Sequence, residues 1–574
     1  MRIRTAPAVA LFAALIAACA GGTTQRRNTT PAPRDSDVRP ARADFTPAAD
    51  RARQAVNRLT FGARSGDLGA VEHMGVDKWI ELQLHPERIP DPEMDAVLGR
   101  LETQGKKAFE LLADHPTPEE LAPRLRPRAA GDSTMRPLAS DSALYRASVT
   151  SARALTAEVV TSKVLRAAYS ERQLLELMVD FWENHFSVSI NKSPNRYSML
   201  EYDRDVIRPR ALGKFRDLLG AVAKSPQMLY YLDQWQSTVD SLHPNYAESR
   251  IQARRASMAV PPMGDSTLLL PVNHRRTGIN ENYGRELMEL HTLGVNGGYT
   301  QQDVIEVARC LTGWTIDGPQ FGGAFHFRQE SHDAGVKTVL GHHMPAGRGI
   351  DDGEEVLDLL ARHPSTARFI AKKLVTRFVS DTPPPALVDR AADTFLRTDG
   401  DIREVMRTIV TSPEFFSQNA FRAKVKTPFE LVVSTLRALG IPPDTTARAV
   451  GMIAQLGQPI WQHLTPEGWP DRGEAWMNSG ALLNRVNFEM AVANSRFPGA
   501  NLAAWPPLRL IANAPAEEAV QRVVDELLES RASPATRDAL MAALSAHAGD
   551  KTPAPVRLAE LIGTALGSPE FQRR

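Results

Sequence analysis

Three short segments hold most of the residues able to do chemistry. The first, Asp180-Phe-Trp-Glu-Asn-His-Phe186, ends a run whose apolar positions Leu174, Leu177, Met178 and Phe181 recur at helical spacing. Four residues further along that stripe comes His185, on the buried side, where an imidazole requires a hydrogen-bond partner or a metal. The second segment runs from Asn280, a helix N-cap, to Gly294, a helix stop. Within it Asn282, Glu286 and Glu289 share one face, and Leu287 and His291 share another. The third places His326 opposite Phe325 and Phe327 on a strand, His332 and Asp333 in a turn, and Lys337 just beyond. Imidazoles and carboxylates are ligands of divalent metals and the usual general acids and bases. His185, Glu286, His291 and His332 are therefore the metal-ligand candidates, with Glu286, Glu289 and Asp333 as catalytic candidates. Each segment also has a plainer reading: a core histidine bonded to a carbonyl, a solvated Glu281–Arg285–Glu289 ladder, and a solvated turn.

Other chemistry is missing. The chain has no HExxH, P-loop, glycine-rich dinucleotide turn or CxxCH. Gly-Asp-Ser-Thr occurs at Gly131 and Gly264, but neither copy follows a strand that would expose a nucleophile at a sharp turn. Of the two cysteines, Cys310 lies in the body and Cys19 follows Ile16-Ala17-Ala18 at the end of a short apolar run that starts after Arg2 and Arg4. That run is a secretory signal, too short to span a bilayer comfortably, and Cys19 sits where a bacterial lipoprotein is cleaved and acylated. Ala20 lacks the aspartate of inner-membrane retention, so the expected address is the outer membrane. With Cys19 acylated, no intramolecular disulfide can form, and stability must come from core burial.

The elements that must carry the three segments are helices. Residues 1–18 read as the signal, 19–44 as a disordered Gly-, Thr-, Pro- and Arg-rich tether, and 45–574 as the body. Helix-period stripes bounded by Gly, Pro, Ser or Asp recur through the body, as at 354–362, 365–379, 385–397 and 402–411. Residues 115–137 and 243–276 read as long surface insertions, and a subdivision near Val425 is the alternative boundary. Strand signals occur only at Phe325–Phe327 and from Lys337, predicting one small hairpin. The fold class is mainly α, a large multi-helical body. A weak echo links VMRTIVTSPEF at Val405 with LIGTALGSPEF at Leu561. Removing residues 1–18 takes Arg2 and Arg4, leaving 66 of the 68 basic residues against 67 acidic ones. No basic excess points to nucleic acid.

In order along the chain stand RLTFGA at Arg58, FWENHFSV at Phe181, NENYGRELMELHTLGVNGGYTQQDV at Asn280, ARCLTGW at Ala308, SHDAGVKTVLG at Ser331, RHPSTARFIAKKLVTRFVSD at Arg362 and PEGWPDRGEAW at Pro466. Together these strings resemble the bacterial exported family called domain of unknown function 1800, from about Asn57 to Phe571. The resemblance implies secretion and an exported partner family similar to alkaline-phosphatase-type enzymes. It carries no established catalytic residues. Gly284 stands where that family usually has Ala, so its helix must rely on packing. Two readings stay open. One is an envelope enzyme, a metal-assisted hydrolase or oxidoreductase using a divalent metal. The other is a non-catalytic assembly or binding component acting with an exported partner.

Overall fold

The computed structural model describes residues 48–115, 117–118, 139–192, 194–240, 243, 245, 278–318, 323–497, 499–546 and 554–574. The signal, the tether, both Gly-Asp-Ser-Thr copies and most of the two insertions lie outside these residues. Inside them the architecture is mainly α.

The sequence stripes become helices at nearly the expected bounds: Asp351–Ala361, Pro364–Phe378, Pro385–Arg397 and Ile402–Val410. Their apolar faces merge into one core that runs from Ala55 to Phe571. Local caps set several starts. Asn280 Oδ1 accepts from the Tyr283 amide at 3.0 Å. Thr300 and Asp303 form a reciprocal capping box, as do Thr427 and Glu430. The two echoed segments share a turn, in which Ser412 and Ser568 accept from the amides of Phe415 and Phe571 at 3.1 and 3.3 Å.

The helix Glu281–Glu289 shows why Gly284 is tolerated. A Cβ there would lie 2.9 Å from the Val304 carbonyl oxygen and 3.2 Å from the Ala308 nitrogen of the neighbouring helix Gln301–Cys310. The close approach that glycine permits is the packing on which this helix relies. The expected Glu281–Arg285–Glu289 ladder does not form. Arg285 and Glu281 both bond Gln301, at 2.6 and 2.8 Å, and Glu289 accepts from the Tyr299 hydroxyl at 3.0 Å.

Both strand signals coincide with strands, but the pairing differs from a single hairpin. Two separate two-stranded antiparallel sheets form instead of one hairpin. β1 (Trp314–Ile316) pairs with β2 (Phe325–Phe327), and β3 (Lys337–Val339) pairs with β4 (His342–Met344). Among the described residues, no helix is long and apolar enough to cross a membrane.

Candidate active site

The helix Gln173–His185 carries its acids on a side that the apolar stripe leaves over. Asp180 and Glu183, three residues apart, face Lys163 on the long helix Ala139–Tyr169, whose ammonium lies 2.8 and 2.6 Å from them. The helix Pro364–Phe378 adds Arg377, 3.0 Å from Asp180, 3.0 Å from Glu430 and 3.9 Å from Asp471. Arg574 meets the same Glu430 oxygen at 2.9 Å. Burial alone would raise Glu430, but Arg377 and Arg574 hold its carboxyl down at about 2.

Lys163, Asp180, Glu183, Arg377 and Asp471 floor a narrow cleft walled by Phe181, Phe429, Trp461 and Trp469. Two loop devices build the wall. Asn184 clamps Trp469, accepting from its amide at 2.7 Å and donating to its carbonyl at 2.8 Å. Gly468 makes room for that clamp, since its φ is +73° and a Cβ would sit 2.3 Å from the Asn184 carbonyl oxygen. Trp461 adopts φ +55°, an uncommon conformation for a bulky residue, and its indole N–H donates to Glu183 at 3.1 Å.

Glu183 is consequently an unusual acid. Its side chain is 1% exposed, and one carboxyl oxygen accepts from both Lys163 and Trp461. The other, Oε1, is buried and unbonded. Burial pushes this carboxyl up, Lys163 opposes it, and the result is about 7. Lys163 is raised as well: burial lowers it, but Asp180 and Glu183 outweigh burial, and it stays protonated. A carboxyl that titrates near neutrality can both give and take a proton.

The residues singled out in the sequence fall into three places, none of them lining this cleft. His185 is buried, its ring parallel to Phe181 at 6.1 Å and its Nε2 3.1 Å from the His291 carbonyl oxygen. Burial drives its pKa well down. His291 sits just past the end of its helix, also buried, and burial lowers it to about 3. The two rings are 6.4 Å apart. Glu286 is half-buried and raised by burial, then by Glu289 and Glu467. His332 is elsewhere. Its Nδ1 lies 2.9 Å from the Thr312 carbonyl and its Nε2 3.2 Å from Asp352. Asp333 takes two bonds from Arg309, at 2.7 and 3.3 Å. The solvated-turn reading of His332 and Asp333 is corrected, since both are fully buried. Thr312 and Asp352 take both His332 ring nitrogens, whereas His185 and His291 meet each other. Among the described residues, no group of three or more His, Cys, Asp or Glu is placed to hold a metal ion.

With the geometry in hand, comparison with known proteins adds one result. A family model described as protein of unknown function (DUF1800) matches residues 54–573. The chain belongs to that family. No curated protein and no solved structure matches it. The matched span encloses every residue of the cleft. Three of the strings read in the sequence also meet there: FWENHFSV supplies Glu183 and Asn184, RHPSTARFIAKKLVTRFVSD supplies Arg377, and PEGWPDRGEAW supplies Trp469 and Asp471. The signal that could have found the site was Asp180 and Glu183 themselves, two acids embedded in an apolar helix, in place of the neighbouring His185.

Proposed function

We propose that this protein is an exported envelope enzyme, held to the outer membrane by acyl groups on Cys19, whose cleft performs acid–base hydrolysis with Glu183 as the proton carrier. The observation that carries the reading is the Glu183 carboxyl, pinned through one oxygen by Lys163 and Trp461 and buried with the other unbonded in a cleft. In such a step Glu183 takes a proton from water as its oxygen attacks the substrate, then returns it to the leaving group as the bond breaks. Lys163 and Trp461 fix the carboxyl in place throughout. Arg377 holds Asp180 and Asp471 around it. Proton transfer is assigned to Glu183, and a divalent metal, where bound, would supply Lewis-acid assistance. The enzyme acts beside an exported partner protein.

One observation favours the non-catalytic alternative. Lys163, Asp180, Arg377, Glu430 and Arg574 are all paired with one another, as a structural network would be. One experiment separates the readings. The full chain carrying Cys19→Ser, which should be released from membranes, is incubated with isolated envelope material, and soluble products are compared with those of the same chain carrying Glu183→Gln. Loss of product on the order of 10²-fold or more, with melting temperature preserved, is expected of the enzyme. Equal product from both chains, or none from either, overturns it.

A further inference from the structure

A second cavity, of about 370 Å³ and open to solvent, shares no lining residue with the Glu183 cleft. Its volume falls in the range of small-molecule sites, about 300–1,000 Å³. Four chain segments close around it. Arg172, at the start of the helix Gln173–His185, donates through Nε to the Ile89 carbonyl at 2.8 Å and so ties that helix to the turn that holds Glu87. Arg208 reaches the same helix through Glu176, at 2.7 Å. The loop at Gly213 and Lys214 is stitched to the loop at Asp401 by backbone bonds from Ile402 to Gly213 and from Phe215 to Gly400, at 3.0 and 2.8 Å. Arg403 returns to Glu87 at 3.4 Å and completes the ring.

That ring is short of negative charge. Arg172, Arg208, Lys214 and Arg403 line the cavity against Glu87 and Asp401. Arg208 is satisfied from behind, by Glu176 and by Asp203 at 3.0 Å, which leaves three cations facing two carboxylates. Both remaining pairs are long. Lys214 stands 3.6 Å from Asp401 and Arg403 3.4 Å from Glu87, whereas a close charge-assisted bond spans about 2.7–2.9 Å. Arg172 has no carboxylate partner among the described residues. The Nε groups of Arg208 and Arg403 are enclosed without an acceptor, so donors here outnumber the oxygens that the fold supplies. A carboxylate would bring two oxygens in one plane, but Arg172, Lys214 and Arg403 come from three segments around the cavity. A phosphate presents acceptor oxygens in three directions and matches that spread. Leu175, Pro209 and Leu212 add apolar wall for the group that carries it.

We infer that this cavity binds a phosphate group, carried by a small organic molecule or by a lipid headgroup, with Arg172, Lys214 and Arg403 as its cationic contacts. The test uses the full chain carrying Cys19→Ser. It is titrated by calorimetry with glycerol 3-phosphate, glycerol and acetate, and it is sedimented with phosphatidylcholine vesicles that contain or lack phosphatidylglycerol. Glycerol 3-phosphate should bind saturably at one site per chain, with glycerol and acetate far weaker. Arg172→Gln and Arg403→Gln should each weaken that binding about tenfold, the loss of one charge-assisted contact. Melting temperatures check that the variants fold. Arg403→Gln keeps the test decisive should Arg172→Gln unfold, because Arg172 also holds the Ile89 carbonyl. Sedimentation only with the phosphatidylglycerol vesicles, reduced in the same variants, supports the inference with a lipid headgroup as the source of the phosphate. Failure to bind either source overturns it, as does acetate binding as tight as that of glycerol 3-phosphate, or equal binding by the parent chain and both variants.

Discussion

Two of the buried ionic clusters among the described residues, the one around His332 and the one around Glu183, differ in what surrounds them. Around His332 most strong groups are used, and no cleft opens beside them among those described. Lys337 donates to the Asp333 and Gly335 carbonyls at 2.6 and 3.1 Å and to Asp352 at 2.7 Å, and Arg309 bridges Asp333 and Glu306. Arg348 lies 3.2 Å from the other Asp352 oxygen as an ion pair, although that oxygen accepts no hydrogen bond. Around Glu183 the charges are paired too, yet a carboxyl oxygen, an indole N–H and a guanidinium N–H remain buried and unbonded on residues that line a cleft. Density of titratable residues is thus common to both. Residual bonding capacity next to a cleft distinguishes the second, and that combination points to chemistry while the first points to stability.

The comparison can be broken at its strong end. Asp352→Ala strands Lys337 and His332 in a buried site, and chemical denaturation should show a loss of about 3–5 kcal/mol. A loss below about 1 kcal/mol would mean that the closed cluster is not structural. Gly468→Ala strikes the cleft wall instead. The new Cβ collides with Asn184, so the variant should lose about 1–3 kcal/mol and shift the fluorescence of Trp469, with the His332 cluster untouched.

Two smaller effects appear only in pH profiles. Glu183 binds a proton more tightly in the folded chain than in the unfolded one, because burial raises it from the ordinary carboxylate range to about 7. Its contribution to stability is therefore complete at low pH and is lost as pH rises toward 7. Glu183→Gln should flatten that decline in melting temperature. His291 has the opposite sign. Burial lowers it from 6.5 to about 3, so stability is lost as pH falls through that window, and His291→Gln should give a shallower acid limb. Unchanged profiles in both variants would show that these burials carry no linkage.

Much of the fold was legible because helix stripes and caps are local. Asn280, Thr300 and the run from Pro385 to Arg397 needed nothing beyond their own neighbours. Strand pairing was not legible. β1 is only three residues long and gave no strand signal, and β2 and β3 have no periodicity long enough to name partners. The candidate site was half legible. Segment Asp180–Phe186 was the right place, but its histidine drew the reading because imidazole is the more versatile ligand. What stands opposite Glu183 comes from far away in the chain: Trp461 from 278 positions later, and the Trp469 clamp from 285. No local pattern reports such encounters.

The Arg377 junction has a consequence in time as well as in space. Arg377 bonds Asp180, 197 positions before it, and its carbonyl accepts from Arg574, 197 positions after it. The segments 424–426 and 572–574 are stitched by backbone bonds between Lys424 and Arg574 and between Lys426 and Gln572. Contacts of such separation carry the full loop-closure penalty before they gain anything in return, so they belong to the late steps of folding. Helices on either side can form early, each on its own cap and stripe. The floor of the cleft assembles only when these distant segments dock, and a partly folded chain carries the residues of the site without the site.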